Sequence, residues 1–212
     1  MKNPIYAGVD LKTRQFERKL RFIEAGIQLM GLNGYRSATV RALCAEAGLT
    51  ERYFYQSFQN TEALLIAIIN HLTGNFMKRL APVFDEQVSD QQHLARQLLT
   101  AYFNEVQNPA FARITLIEIL GVSEAVDQTY TKNLKAFSGM LTHSLYRIHP
   151  NLKLSEADQE IIGIGLAGSV VMSAAGWMLQ GYPYSVEQMV SNCLHILSGT
   201  AHQLANHSHT LS

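Results

Sequence analysis

The sequence predicts an all-α fold of about nine helices, and three observations support this. Apolar residues recur at intervals of three and four through nearly all of the 212 residues, and strand-like alternation is absent. Capping residues, glycines and prolines mark the ends of these periodic stretches. Hydrophobic residues make up 47% of the chain and charged residues 16%, which is enough apolar material for a sizeable core.

The first predicted helix covers residues 13–32. Its apolar side chains recur with helical spacing and share one face, while basic residues occupy the other face. Asn33-Gly34 is expected to end this helix, because glycine adopts the left-handed C′ conformation at little steric cost. The apolar stripe consists of Leu20, Ile23, Ile27 and Met30, and the basic face of Arg14, Arg18, Lys19 and Arg21.

Two short helices around a tight turn are predicted next, in SATVRALCAEAGLTERYFYQSF. Thr39 is placed to cap the first helix, since a threonine hydroxyl accepts from the unpaired N–H groups of the first turn. Gly48 provides the turn, and Thr50 caps a second helix that runs to about Phe58. Two short helices joined through a glycine are typical of the helix-turn-helix motif.

The remaining helices are predicted from similar signals. Asn60 is expected to cap a long helix that ends before Pro82, because proline lacks the N–H that continues a helix. Ser155 and Ser185 are each followed three positions later by an acid or a glutamine, as in capping boxes. The predicted ranges are about 61–80, 89–107, 110–121, 124–148, 155–180 and 186–205.

The second helix of the motif mixes charged and aromatic residues, which predicts two different faces. Phe54 and Phe58 lie four residues apart and are expected to pack into the core. In a helix-turn-helix the second helix lies in the major groove, led by its N-terminal residues. There Arg52 is suited to guanine and Glu51 to cytosine, and the phenol of Tyr55 is suited to a base edge or a phosphate.

Charge is unevenly distributed along the chain, although the net charge is zero. Residues 1–60 carry nine Lys or Arg against five Asp or Glu, and residues 61–212 carry eight against twelve. The basic part is therefore the candidate for contact with a polyanion. Chance remains the alternative explanation for a difference of this size.

The segment from about Arg18 to Leu65 resembles the DNA-binding domain of TetR-family transcriptional regulators. It covers roughly a quarter of the chain, and the rest agrees with the family in size and helical content. The stretches that carry the resemblance are AGIQLMGLNGYRSATV, RALCAEAGLTERYFYQSF and QNTEALL, with Gly-Tyr at 34–35, Thr-Val at 39–40, Ala-Gly-Leu-Thr at 47–50 and Phe-Tyr-x-x-Phe at 54–58.

The resemblance implies a helix-turn-helix DNA-binding domain over residues 1–60 and a helical effector-binding and dimerisation domain over residues 61–212. Thr39 then resembles a hydroxyl that meets a phosphate. Thr61 stands where many members carry a lysine, so the helix amides there are left to bind phosphate. The residues expected to contact DNA are Thr39, Arg41, Thr50, Glu51, Arg52, Tyr53, Tyr55, Gln56 and Thr61; for the arginines, a solvated surface charge is the alternative.

A homodimer is expected, because one helix-turn-helix reads about half a site and two copies about 34 Å apart are needed. The segment 161–186 contains no charged residue and is long enough to span a membrane. Its glycines, alanines and acidic flanks instead favour a helix buried on most faces, at the dimer interface. The residues expected at this interface are Gly163, Ala167, Gly168, Ala174, Met189, Cys193 and Ile196.

A small-molecule effector is implied by the resemblance, and its binding pocket is expected among aromatic and soft residues of the middle helices. Glu118 is an ionisable group in the apolar run ITLIEIL, where it is suited to a cationic ligand or to pairing with Arg113 or another base. The lining favours an apolar or amphipathic effector, with plain core as the alternative for each aromatic. The candidates are Phe84, Tyr102, Phe103, Phe111, Glu118, Met140, His143 and Trp177.

Two rival functions are weighed against a regulator, an enzyme and a helical protein-interaction module that does not bind DNA. No Gly-x-Ser-x-Gly elbow, Gly-rich phosphate loop or His-Glu-x-x-His motif occurs in the sequence. Cys44 and Cys193 are far apart and show no metal-ligand spacing, so no catalytic residue, cofactor or metal is expected. Two unpaired cysteines and an N-terminus without an apolar core predict a cytoplasmic protein.

Overall fold

The computed structural model describes residues 4–85 and 92–210, with side chains over 11–83 and 92–206. All regular elements in these ranges are helical, as the sequence predicts. They are α1 Pro4–Asn33, α2 Val40–Ala47, α3 Glu51–Ser57, α4 Thr61–Asp85, α5 His93–Val106, α6 Pro109–Ala112, α7 Glu124–Ile148, α8 Glu156–Leu179 and α9 Val186–Thr210, with a 3₁₀ turn at Tyr35–Ser37 and a π-helical turn at Arg113–Ile117.

The chain forms two compact units. Unit 1 contains Met1–Leu72 and Pro109–Asp127, and unit 2 contains Thr73–Asn108 and Gln128–Ser212. The sequence places a functional boundary after residue 60; the compact units divide the chain differently, because the start of α4 and a distant segment fold together with the helix-turn-helix. The chain therefore passes between the units three times, once inside α4.

The core of unit 1 forms where α1 packs against α2 and α3. Phe22 of α1 meets Phe54 edge-to-face at a centroid distance of 5.3 Å, and Phe54 lies 6.0 Å from Phe58. Phe22 and Phe54 are completely buried, and Phe58 is 5% exposed. The predicted core role of Phe54 and Phe58 is confirmed, and each buried ring contributes about 3–5 kcal/mol relative to alanine.

Most of the predicted caps form. The amide of Ala42 donates to Thr39 Oγ1 at 3.2 Å, and that of Ala63 donates to Asn60 Oδ1 at 2.8 Å. Thr50 occupies the N-cap position of α3 but its hydroxyl makes no capping bond. Ser155 accepts from the amide three residues on, and Ser185 forms the complete reciprocal box with Gln188.

Several helix boundaries differ from the predicted ones. The predicted stop before Pro82 is wrong, because α4 continues to Asp85; proline in the last turn removes one hydrogen bond without ending the helix there. The single helix predicted for residues 110–121 is replaced by α6 and the π-helical turn. The predicted start of the 89–107 helix falls partly outside the described residues.

Unit 2 is a helical core in which α5 packs against α9 and α8. An aromatic chain runs through it: Tyr102 stacks on Phe137 at 4.9 Å, and Phe103 meets Trp177 edge-to-face at 5.7 Å. The Trp177 indole N–H donates to the Tyr184 carbonyl at 2.9 Å. Trp177 thereby ties α8 to the end of the loop that leads into α9.

Candidate nucleic-acid interface and effector domain

Helix α3 has one face in the core of unit 1 and another in solvent. The turn before it places Gly48 at φ 60, ψ 38, the left-handed conformation predicted from sequence. The Arg21 guanidinium on α1 donates to the Ala47 carbonyl at the end of α2. The conformation of Gly48 and the hydrogen bond of Arg21 together set the direction in which α3 leaves the turn. The buried Phe54 sets the rotation of α3 about its own axis.

The outward face of α3 carries four of the residues predicted to contact DNA. Glu51, Arg52, Tyr55 and Gln56 are exposed, and the side chain of Tyr55 is 60% accessible. Such a face offers a cation, a carboxylate, a phenol and an amide on one short helix. Each of these groups can read a base edge or hold a phosphate.

Tyr53 differs from its neighbours because a cation covers its ring. The Arg18 guanidinium carbon lies 3.9 Å from the ring centroid, and Tyr53 is half-buried. This cation–π contact joins α1 to α3 and holds Arg18 beside the exposed face. The sequence places Arg18 on the basic face of the first helix and gives no sign of its pairing with Tyr53.

The flanks of the motif place the remaining predicted residues. Thr39, Arg41 and Thr50 are exposed, at or near the N-termini of α2 and α3. Thr61 is half-buried at the start of α4, and its hydroxyl lies 3.4 Å from the Tyr35 hydroxyl. Thr61 therefore belongs to a contact inside unit 1 as well as to a helix N-terminus.

A carboxylate from far along the chain holds the turn between α1 and α2. Glu118 accepts a hydrogen bond from the Tyr35 backbone N–H at 3.0 Å. Gly34, with φ 81, has no room for a side chain, because an added Cβ meets Glu118 Oε1 at 2.8 Å. Arg113 pairs with the same carboxylate at 3.3 Å, the pairing that the sequence suggested for Glu118.

Cys44 is a buried residue of α2. Burial raises the pKa of its thiol, and the negative charge of Glu51 raises it further. A thiol with a raised pKa is a weak nucleophile at neutral pH. Cys44 thus packs as a small apolar residue of the helix-turn-helix.

The candidate effector residues fall into different environments. Phe111 and Glu118 lie in unit 1, whereas Tyr102, Phe103, Met140 and Trp177 are buried in unit 2. Burial raises the pKa of the Tyr102 phenol well above its usual range, so it stays protonated. His143 is exposed. The side chain of Phe84 lies outside the described residues.

Two buried polar atoms on α7 are candidate ligand contacts in unit 2 that the sequence analysis did not identify. Asn133 Nδ2 and Thr142 Oγ1 are buried and have no hydrogen-bond partner among the described residues. Asn133 lies one turn before Phe137, which stacks on Tyr102. A buried amide donor beside an aromatic cluster is suited to an acceptor atom of a ligand.

The predicted dimer residues separate into two groups. Gly163, Ala167, Ala174 and Cys193 are buried inside the protomer; an added Cβ at Gly163 meets Ser138 Oγ at 2.4 Å. These positions face the protomer's own core, where a partner does not reach them. Gly168, Met189 and Ile196 lie at the accessible surface, where a partner can contact them.

Helix α8 is less buried than the sequence predicts. It is the one helix in the described part of the chain that is long and apolar enough to cross a membrane, and 39% of its most apolar stretch is buried. Its outward face carries Ile161 at 70%, Met172 at 69% and Leu179 at 69% exposure. Gly165 and Gly168 lie between them, with open space where a Cβ would be.

Residues 22–68 match the family model described as bacterial regulatory proteins, tetR family. This match covers α2 and α3 completely, together with α1 from Phe22 onward and the start of α4. These residues are therefore similar to the DNA-binding domain of TetR-family regulators, in agreement with the resemblance that the sequence motifs carry.

Two further comparisons extend beyond residues 22–68 and cover most of the chain. The fatty acid metabolism regulator protein of Bacillus subtilis (strain 168) is 21% identical over 189 residues, covering 86% of this chain and 95% of the relative. The crystal structure of FadR from Bacillus subtilis in complex with stearoyl-CoA has a TM-score of 0.72 at 18% identity, covering 84% and 97%.

A third similar structure is that of AibR in complex with isovaleryl coenzyme A and operator DNA. Its TM-score is 0.65 at 18% identity, covering 84% of this chain and 97% of that one. At this identity the likeness establishes the fold. The α-helical fold of these structures is thus shared by most of this chain.

Proposed function

We propose that this TetR-family protein is a dimeric repressor that binds a palindromic operator through α3 and releases it when an acyl-coenzyme A binds. The observation that carries the proposal is the division of α3, with Phe54 and Phe58 in the core and Glu51, Arg52 and Tyr55 in solvent. A helix anchored by one face and exposed by the other is what insertion into a major groove requires.

The DNA contacts divide by the chemistry of each residue. Arg52 and Glu51 at the start of α3 are assigned to base edges, and Tyr55 and Gln56 to the groove or its phosphates. Contacts with the phosphate backbone of the DNA are assigned to Thr39, Arg41, Thr50 and the N-terminus of α4 at Thr61. Arg18 holds Tyr53 in place by the contact of its guanidinium with the ring.

The dimer is proposed to form through α8 and α9, at the surface stripe rather than at the buried one. We name this surface the α8–α9 stripe: Ile161, Gly165, Gly168, Met172 and Leu179 of α8 with Met189, Ile196 and Gly199 of α9. Its large apolar residues supply area to bury, and its glycines allow close approach of a partner helix. A membrane helix is the alternative for α8, and a monodisperse dimer without detergent excludes it.

The effector class is proposed from the relatives together with unit 2. FadR from Bacillus subtilis was crystallised with stearoyl-CoA and AibR with isovaleryl coenzyme A. Unit 2 of this chain has a buried aromatic cluster around Tyr102 and a buried, unpartnered amide donor on Asn133. An acyl chain suits the first and a thioester carbonyl suits the second.

Release of DNA is proposed to follow a population shift. The effector binds more tightly to a dimer geometry that does not fit two successive major grooves. Effector binding therefore lowers the population of the geometry that binds the operator. The covalent links available for this are α4, which passes from unit 1 to unit 2 after Leu72, and both ends of segment Pro109–Asp127. That segment contacts the Gly34–Tyr35 turn through Glu118.

Selection of fragments from a random DNA pool by the purified protein, followed by gel shifts, tests DNA binding. Enrichment of one palindrome and weakening of binding with rising salt are expected. Arg52→Ala should lose about 1–3 kcal/mol of discrimination at one base pair, and Tyr55→Phe should weaken binding. Arg147→Ala, an exposed arginine of α7, is the matched control. Retention of every fragment equally supports the interaction-module alternative.

Addition of stearoyl-CoA to the operator complex tests the effector. Release by stearoyl-CoA, with free coenzyme A and stearate as separate controls, is expected. Failure of a series of acyl-CoA chain lengths to release the operator contradicts the effector class. That failure leaves the operator-binding result intact, because the two measurements are made separately.

A further inference from the structure

Two histidines of unit 2 that are far apart in the sequence meet at the surface. His149 directly follows α7, and His202 lies in the last third of α9. His149 Nε2 and His202 Nδ1 are 2.8 Å apart. The ring centroids are 4.7 Å apart and the ring planes are inclined at 77°.

The distance between these nitrogens suits two ligands of one metal ion. Metal–imidazole bonds are about 2.0–2.1 Å, so two ligands at a right angle have nitrogens about 2.9 Å apart. An ion beside the line joining them requires each ring to turn by about 45° from the hydrogen-bonded orientation. His202 is exposed and His149 is half-buried, which leaves room for that rotation and for water ligands.

The chemistry of the pair also suits a metal. A hydrogen bond between two imidazole nitrogens requires one of them to be an unprotonated acceptor, the form that coordinates metals. Neutral imidazole favours Cu²⁺, Ni²⁺ and Zn²⁺ over Mg²⁺ and Ca²⁺, which prefer oxygen ligands. The described part of the chain holds no group of three or more His, Cys, Asp or Glu suited to a metal, and the two described ligands at this position are His149 and His202.

We propose that His149 and His202 form a binding site for one divalent transition-metal ion, held by both imidazoles with water in the remaining positions. The ion joins the C-terminal end of α7 to α9, through two histidines separated by 53 residues. Because the unfolded chain does not hold the two rings together, the ion binds the folded state preferentially and stabilises unit 2.

Titration of the full-length, tag-free protein with Cu²⁺ tests this site, followed by calorimetry and by electron paramagnetic resonance. One ion per chain with two nitrogen ligands is expected. His149→Gln and His202→Gln should each weaken binding by at least about 10- to 100-fold, the loss typical even of an outer-shell partner. His195→Gln is the matched control, because it removes an exposed histidine of the same helix as His202.

Thermal unfolding provides the second readout. Cu²⁺ or Ni²⁺ should raise the Tm of the wild-type protein and of His195→Gln, and should leave the Tm of both pair variants unchanged. Circular dichroism verifies that each variant is folded before titration. Undiminished affinity of His149→Gln and His202→Gln for Cu²⁺ would overturn the proposal. Loss of Cu²⁺ binding only in a His207→Gln/His209→Gln variant would also overturn it, because that result assigns the ion to the C-terminal tail.

Discussion

The Glu118 carboxylate accepts a hydrogen bond from the Tyr35 backbone N–H at 3.0 Å, across 83 residues of sequence. Tyr35 begins the 3₁₀ turn between α1 and α2, just ahead of the helix-turn-helix. The same carboxylate is paired with Arg113 at 3.3 Å, and its side chain is 19% exposed. One partly buried group therefore holds both the turn and the π-helical segment that contains Arg113.

Glu118→Ala should destabilise unit 1, because it leaves the Tyr35 N–H without its acceptor. The loss of a hydrogen bond to a charged group in a partly buried setting costs about 1–3 kcal/mol. Glu118→Gln retains an acceptor oxygen and should cost less. Urea unfolding measures the difference, and hydrogen exchange at the Tyr35 amide localises it.

The control for this prediction is Glu160→Ala on α8. Glu160 also pairs with a cation, Lys135 at 2.7 Å, but the side chains of Glu160 and Lys135 are 56% and 58% exposed. Exposed pairs contribute little, so the free energy of unfolding should change much less than it does in Glu118→Ala. Equal effects of the Glu118 and Glu160 substitutions contradict the assignment of Glu118 to the turn.

Gly48→Ala tests the turn of the helix-turn-helix. Gly48 has φ 60, and an added Cβ lies 3.0 Å from Arg21 Nη2. The left-handed conformation costs a residue with a side chain about 1 kcal/mol, so the Tm of the variant should fall by several degrees. Gly74→Ala is the control, because an added Cβ at that position meets open space and alanine favours the helix. Equal Tm values for the two variants would contradict the requirement for glycine at position 48.

Features carried by local signals could be predicted from the sequence. The turn glycine at 48, the caps at Thr39 and Asn60 and the four-residue spacing of Phe54 and Phe58 each act within a few residues. Each follows from steric or hydrogen-bonding rules that need no tertiary information. The helix-turn-helix and the outward face of α3 therefore follow from the amino-acid sequence alone.

Features that depend on distant residues could not be predicted. In the sequence, Glu118 is an isolated charged residue in an apolar run. Its hydrogen bond with the Tyr35 N–H is evident only from the folded structure. Helix α8 presents a different difficulty, because small residues occur on all of its faces. Gly163 and Gly168 look equivalent in the sequence, yet the first packs against α7 and the second faces outward. Periodicity cannot distinguish an inward stripe from an outward one when both are apolar.

Gly168→Leu should weaken the dimer without unfolding the protomer. An added Cβ at Gly168 meets nothing within 4 Å in the protomer, and leucine is the better helix former by about 0.8–1 kcal/mol. If the proposed dimer forms through the α8–α9 stripe, the larger side chain should hold the partner helix away. Sedimentation equilibrium should give a dimer dissociation constant raised by at least about tenfold, which is about 1.4 kcal/mol.

Gly139→Leu is the matched control for the dimer. Gly139 lies in α7, is exposed and also has open space at its Cβ position, but it is not part of the α8–α9 stripe. The dissociation constant of this variant should equal that of the wild type. A dimer disturbed by Gly139→Leu and unaffected by Gly168→Leu assigns the interface to a different surface.

The stability of the fold at alkaline pH should depend on Cys193. Burial raises the pKa of this thiol to about 11 from 9.0, against a small lowering by Ser173. Because the folded pKa lies above the unfolded value, the contribution to stability is complete below about pH 9 and is lost between about pH 9 and 11. Above pH 9 the unfolded chain releases the thiol proton more readily than the folded one.

Cys193→Ala should remove this part of the pH dependence, since alanine has no proton to release. Other groups also titrate above pH 9, so the quantity to measure is the difference in unfolding free energy between wild type and variant. That difference should be constant from about pH 7 to 8.5 and should change in favour of the variant as the pH rises to about 10.5. A difference that stays constant over the whole range means that the Cys193 thiol titrates alike in the folded and unfolded chains.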